Sequence, residues 1–172
     1  MKTKFLIVGE SGSGKDTVCN KLELLYNYKV LKSYTTRKKR ENEGNAHIFI
    51  SEEEVEQYRS DMIAYTFFDE NHYFATKQQF DDCHLYIIDP DGVQFMKEKL
   101  SDEYDIKIIY IKVLEHDRIN RMNKRNDGLT QILQRLKNDN IKFKNIDFDY
   151  AIPNKDLDKC VEIIHKIIEI EK

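Results

Sequence analysis

The string Gly9-Glu10-Ser11-Gly12-Ser13-Gly14-Lys15 constrains this chain more than any other feature in it. Before it stands a short apolar run, Phe5-Leu6-Ile7-Val8, and after it Val18 through Leu25 repeat their apolar positions with helical spacing. The order is therefore strand, glycine loop, helix. In that setting the glycines let backbone N–H groups turn inward around a polyphosphate, while the helix N-terminus and the Lys15 ammonium supply positive charge. A merely flexible turn would need neither the lysine nor both flanking elements. The expectation is a phosphate-binding loop in which Gly9, Ser11, Gly12, Ser13, Gly14, Lys15, Asp16 and Thr17 contact ATP, with Lys15 also catalytic.

At one position the loop departs from the usual pattern. Asp16 stands where a Ser or Thr hydroxyl ordinarily ligates Mg²⁺. A carboxylate is a suitable hard ligand, although beside a triphosphate its charge is tolerable only with the ion between them. Asp16, directly or through water, and the Thr17 hydroxyl are the expected contacts of the Mg²⁺ that accompanies ATP. Asp89 is a third candidate, because it ends the apolar run Leu85-Tyr86-Ile87-Ile88 at the carboxyl end of a strand, where ligands of open α/β sheets bind. An Asp in that place also forms turns, so a role in metal or acceptor binding is the alternative to a structural one.

The rest of the chain supplies the frame. Ile106 to Val113 is a second β-branched run of the kind found in parallel strands covered on both faces, and helical patterns follow at Val93 to Leu100, Glu115 to Met122 and Leu129 to Phe143. A last helix places Leu157, Cys160, Val161, Ile164 and Ile168 on one face. Alternating strands and helices predict an α/β, three-layer P-loop fold with a parallel central sheet. Between Ser33 and Thr76 the pattern changes to short aromatic-rich runs around an acidic helix expected to start at Ser51, with Ser51 and Glu54 as a capping box. The expected division of the single kinase domain is a core of 1–32, 81–120 and 144–172, an inserted acceptor-binding subdomain at 33–80 and a helical lid at 121–143.

With 172 residues, 40% hydrophobic and 34% charged, the chain suits one globular domain rather than a disordered or membrane protein. A net charge of -3 gives no global field for nucleic acid or anionic lipid, so neither is an expected partner. The apolar stretch after Lys2 and Lys4 is too short for a signal-peptide core, which makes a cytoplasmic location the expectation. Cys19, Cys83 and Cys160 lack disulfide or zinc spacing and are expected to be buried thiols.

Downstream of the loop, Ser33-Tyr34-Thr35-Thr36-Arg37-Lys38-Lys39-Arg40 resembles the acceptor-binding segment of the guanylate kinase family. Asn71-His72-Tyr73, Asp89 ahead of Gly92-Val93, and Asp149-Tyr150-Ala151-Ile152 leading to Asn154-Lys155-Asp156-Leu157-Asp158 are similar to further landmarks in the same order, so the resemblance spans nearly the whole chain. It implies transfer of the γ-phosphoryl of Mg-ATP to a nucleoside monophosphate, GMP or dGMP foremost. By the same resemblance Arg37, Arg40 and Tyr73 hold the acceptor's phosphate, Ser33, His47 and Asp89 belong to the acceptor site, Arg125 and Arg135 reach the ATP phosphates from the lid, and Asn154 lies beside the adenine. Guanidinium forks suit phosphate oxygens.

Departures from the family pattern keep other acceptors open. Ala64 and Ala75 stand where the family has a glutamate and a small hydroxyl residue that read guanine, and His47 stands where a phosphate-binding tyrosine is usual. Glu43, Asp69 or Glu70 are candidates for a displaced carboxylate. The second reading is a ribose 1,5-bisphosphate phosphokinase, which shares the Asp after the loop lysine; the third is a non-catalytic module that binds a phosphorylated peptide in the acceptor cleft.

Overall fold

The computed structural model describes residues 1–39, 45–68 and 70–172. In chain order its elements are β1 (Lys2–Val8), α1 (Lys15–Tyr26), β2 (Val30–Leu31), β3 (Ser33–Thr35), β4 (His47–Phe49), a 3₁₀ helix (Val55–Asp61), β5 (Met62–Phe68) and β6 (Asn71–Thr76). They continue with α2 (Lys77–Asp82), β7 (Leu85–Ile87), α3 (Pro90–Leu100), β8 (Tyr104–Lys112), α4 (Glu115–Lys124), α5 (Leu129–Lys142), β9 (Tyr150–Pro153) and α6 (Leu157–Glu171).

Strand β1 shows why the frame is a sheet buried on both faces. Side chains alternate along it with period two. Leu6 and Val8 enter one core with Phe80, Val93, Met96 and Leu100, while Phe5 and Ile7 enter another with Val18, Cys19, Leu22, Cys160, Val161, Ile164 and Ile168. The first core is roofed by α2 and α3, the second by α1 and α6, which gives three layers. Pairing is parallel throughout, in the order β2-β7-β1-β8-β9, with Phe5 opposite Leu85 and Lys107, and Ile7 opposite Ile87 and Ile109. This is the α/β architecture expected from the sequence. Because β1 is central, the loop that leaves Val8 opens at the carboxyl edge of the sheet, flanked by the ends of β7 and β8.

A second sheet, ordered β4-β3-β6-β5, is built between Ser33 and Thr76 and mixes one parallel with two antiparallel pairings. The α-helix expected at Ser51 is absent there. Turns lead instead into the 3₁₀ helix, and only the Glu54 half of the expected capping box forms, Ser51 N–H donating to its carboxylate at 2.7 Å. The physical reason is the three-residue spacing of the groups to be anchored: Val55 is buried and Tyr58 stacks on Tyr34, and positions i and i+3 eclipse in a 3₁₀ helix. A complete capping box occurs at Thr76 and Gln79, opening α2. The three cysteines are free and buried, as expected. Among the described residues no helix is long and apolar enough to cross a membrane.

Candidate active site

The glycine loop is held in shape by backbone that only glycine tolerates. Gly12 and Gly14 have φ of 78° and 84°. A Cβ at Gly9 would stand 2.8 Å from the Ile111 carbonyl, and one at Gly12 2.8 Å from that of Arg118. Within this loop the N–H groups of Gly12, Gly14, Lys15, Asp16 and Thr17 have no hydrogen-bond partner among the described residues, whereas Ser13 N–H donates to Glu10 at 3.0 Å. Unpaired amides at a helix N-terminus form an anion site. Lys15 leans across it and donates to the carbonyls of Gly9 at 2.6 Å and Glu10 at 3.4 Å. Burial pulls the Lys15 ammonium below the ordinary lysine range, with Asp16 and Asp139 pushing back.

The loop's carbonyls are tied down from the other side by Asn154 and by two arginines, Arg118 and Arg121, that the sequence reading did not single out. Arg121 donates to the carbonyls of Ser13 at 3.2 Å and Asn154 at 2.7 Å, and Asn154, itself buried, donates to the Ser13 carbonyl at 2.9 Å. Arg118, also buried, donates to the Ser11 carbonyl at 3.2 Å and to Asp139 at 3.0 Å, and the Asp139 carboxylate accepts the Ser11 N–H at 2.9 Å. Arg118 and Arg121 are three apart on α4, so they share a face. Asn154 thus braces the loop, and it also lines a cleft of about 670 Å³ with Glu10, Tyr110, Leu114 and Pro153, the side on which the resemblance places adenine.

A cavity of about 400 Å³ begins at Ser11 and runs beneath the second sheet, where it meets Ser33, His47, Ala64, Tyr73, Tyr86 and Asp89; Arg135 and Lys142 close it from the lid. Ser33 and His47 are hydrogen bonded at 2.8 Å. Asp89 caps α3, accepting the Gly92 N–H at 2.9 Å, and pairs with Lys142 at 3.0 Å. A neighbouring space of about 700 Å³ shares Ser33 and His47 and adds Asp16 and Arg125. Arg37 lies outside both linings, its guanidinium 5.4 Å over the Phe49 ring. Arg40, Glu43 and Asp69 fall outside the described residues, and Glu70 is exposed at a turn with φ 58° and lines neither space.

The two lid arginines point at each other's partner rather than at the loop. Arg125 and Arg135 both grip Asp127, at 2.8 and 2.7 Å. Asp16 and Thr17 are exposed in the first turn of α1, and among the described residues no cluster of three or more His, Cys, Asp or Glu is placed to hold a metal ion. Asp16 and Asp89 line different spaces. Such a donor set suits Mg²⁺, which keeps waters and binds one or two protein oxygens together with substrate phosphates. Asp16 and Thr17 are the groups that would hold it, and the ion would neutralise charge on the phosphates.

An amide-lined loop that opens onto a cavity large enough for a nucleotide base, with arginines of the α4–α5 region in the walls beside it, belongs to the P-loop nucleoside monophosphate kinases. Comparison with known proteins carries this further. The sequence model described as guanylate kinase matches residues 1–171, and the chain belongs to that family. A guanylate kinase of Campylobacter jejuni (strain RM1221) is 32% identical over 186 residues, covering 97% of this chain and 88% of that protein. One from Thermotoga maritima is 30% identical over 183 residues, covering 98% and 86%. The crystal structure of guanylate kinase from Anaplasma phagocytophilum superposes with a TM-score of 0.69 at 23% identity, covering 99% of this chain and 86% of that one, a likeness of fold.

Proposed function

We propose that the protein transfers the γ-phosphoryl group of Mg-ATP to GMP or dGMP in the cytoplasm, forming the nucleoside diphosphate and ADP. The observation that carries the reading is a shared wall: Ser11 of the phosphate loop and Arg135 of the lid line the same cavity as Ser33, His47 and Tyr73. An acceptor seated there has its phosphate facing a donor held on the loop amides. Positioning and charge stabilisation then suffice, and no protein nucleophile is needed. The Lys15 ammonium and the open amides of Gly12, Gly14, Lys15, Asp16 and Thr17 take the donor phosphates; Arg37, Arg40 and Tyr73 take the acceptor phosphate; Asp16 and Thr17 face Mg²⁺; Arg125 and Arg135 neutralise the transferring group once the lid closes.

Ala64 favours a second reading, because it lines the cavity where a guanine-reading carboxylate is expected, and Ala75 is buried close by in the same core. A ribose 1,5-bisphosphate phosphokinase would need no such group. The cavity supports the nucleotide reading more, since its walls include Ala64, Phe74, Tyr86 and Ile88, which suit a flat base better than a sugar bearing two phosphates. A binding-only module would have no use for five open loop amides. ADP release with Mg-ATP and GMP, dGMP, other monophosphates or ribose 1,5-bisphosphate decides the matter: turnover with GMP or dGMP is expected, turnover with the bisphosphate alone selects the second reading, and no turnover with any acceptor selects the module.

A further inference from the structure

Tyr86 lies in β7, with Leu6 of β1 and Leu31 of β2 as its neighbours across the sheet. Its side chain joins the core that contains Ala64, Ala75 and Phe80, and it is 4% exposed. That remaining exposure faces the acceptor cavity, which Tyr86 lines. The phenol makes no hydrogen bond among the described residues, and its oxygen is not one of the fully buried unpartnered atoms there, so it stays open to the cavity. A tyrosine whose ring is buried ordinarily finds a partner for its hydroxyl, and one that opens on a cavity takes that partner from the cavity's contents. Burial also pushes the phenol well above the ordinary tyrosine range, so it remains a neutral donor at any working pH.

Most of the other polar groups around the cavity are engaged within the protein, while the Thr66 and Tyr73 hydroxyls make no hydrogen bond among the described residues and are only partly buried. Ser33 is held by His47, Asp89 by Gly92 and Lys142, Arg135 by Asp127, and Asp139 by Arg118. Tyr86 is the most buried polar side chain of that lining, and its hydroxyl takes its partner from whatever fills the cavity. Space for that contact comes from Ala64, which sits at φ 50° where the register of β5 and β6 shifts, and which presents a methyl group instead of a long side chain.

We propose that Tyr86 is a specificity-determining residue whose hydroxyl donates a hydrogen bond to a carbonyl oxygen on the base of the bound monophosphate, O6 when the base is guanine. The inference rests on reading this cavity as the acceptor site. It replaces the expected carboxylate readout of ring N–H groups with a neutral readout of a ring carbonyl, and it selects against adenine, which has no carbonyl.

The test is Tyr86→Phe, which keeps the ring and removes the oxygen. Losing one hydrogen bond to a buried donor should raise KM for GMP about tenfold, leaving kcat and KM for ATP as they were. The monophosphate of 2-aminopurine riboside, guanine without O6, should show the same KM with both proteins. A thermal midpoint no lower than that of the unaltered protein shows that packing is intact. An unchanged KM for GMP, or equal rises for GMP and the 2-aminopurine nucleotide, overturns the proposal, as does an unaltered protein that accepts only AMP. If the unaltered protein uses dTMP or another carbonyl-bearing monophosphate and not GMP, the acceptor assigned above fails, while Tyr86 is judged by the KM ratio for that substrate. Without turnover of any monophosphate, calorimetric affinity for GMP gives the same ratio, and equal Kd values overturn the proposal.

Discussion

Lys15 is where the electrostatics of the free protein and of its complex pull in opposite directions. Its ammonium sits in partly buried surroundings that lower its pKa from 10.5, and two loop carbonyls accept its protons until a triphosphate arrives. A lysine whose native pKa is lowered binds its proton less tightly than in the unfolded chain, so it costs stability at neutral pH. That cost fades as pH rises from the lowered native value through 10.5. Lys15→Met should accordingly be more stable than the unaltered protein at neutral pH, with the gain shrinking as pH climbs through that window, as urea titrations at several pH values will show. The same substitution should abolish ATP turnover. An unaltered rate would mean that the ammonium does not grip the phosphates. In the unaltered protein, ATP affinity should weaken on the alkaline side before an ordinary lysine would titrate, which calorimetry can follow. This residue and its glycines were legible because their chemistry is contiguous in sequence. Arg118 and Asp139 were not, since their meaning lies in meeting Ser11 across 107 and 128 residues.

At the scale of elements, α4 and α5 are fastened to the phosphate loop by that buried pair. Arg118 and Asp139 side chains are 3% and 11% exposed, and each also bonds Ser11. Removing Arg118 leaves the Asp139 charge uncompensated in the interior, a loss of about 3 to 5 kcal/mol, whereas replacing both by apolar groups of like size is often neutral. Arg118→Ala should therefore lower unfolding free energy by roughly 3 kcal/mol, Asp139→Ala by less because Glu10 stays 3.4 Å from the Arg118 guanidinium, and Arg118→Met with Asp139→Leu should recover most of the Arg118→Ala loss. A double variant as weak as the sum of the singles would show that the pair acts through Ser11 alone. Strands β1, β7 and β8 were visible in sequence because double-sided burial demands continuous apolar runs. The segment after Ser51 was misread, since its charged surface carries too few buried positions to separate an α from a 3₁₀ period. The two-residue β2 announces itself to no pattern at all, being held by pairing with β7.

For the molecule as a whole, the proposed site draws on three stretches of chain: the core with its loop, the second sheet above the cavity, and the α4–α5 pair expected to act as a lid. Asp127 gives the resting lid its charge balance by holding Arg125 and Arg135, the groups proposed to meet the transferring phosphate. The proposed closure exchanges those ion pairs for phosphate oxygens. Removing Arg135 should reveal what the exchange achieves, because an arginine that stabilises the transition state is worth roughly 10³ to 10⁵ in kcat; a loss of only a few-fold in Arg135→Ala would place that role elsewhere. Removing the carboxylate should reveal its cost. Arg125 is 54% exposed and Arg135 28%, so solvent screens both pairs and each is worth at most about 1 kcal/mol. Asp127→Asn should thus lower KM for ATP by about threefold at low ionic strength, and the advantage should vanish in 0.5 M salt, roughly where the Debye length falls below the span of a side chain. A KM that does not move at low salt would mean that Asp127 keeps its arginines in the closed state, orienting them toward the phosphates rather than withholding them.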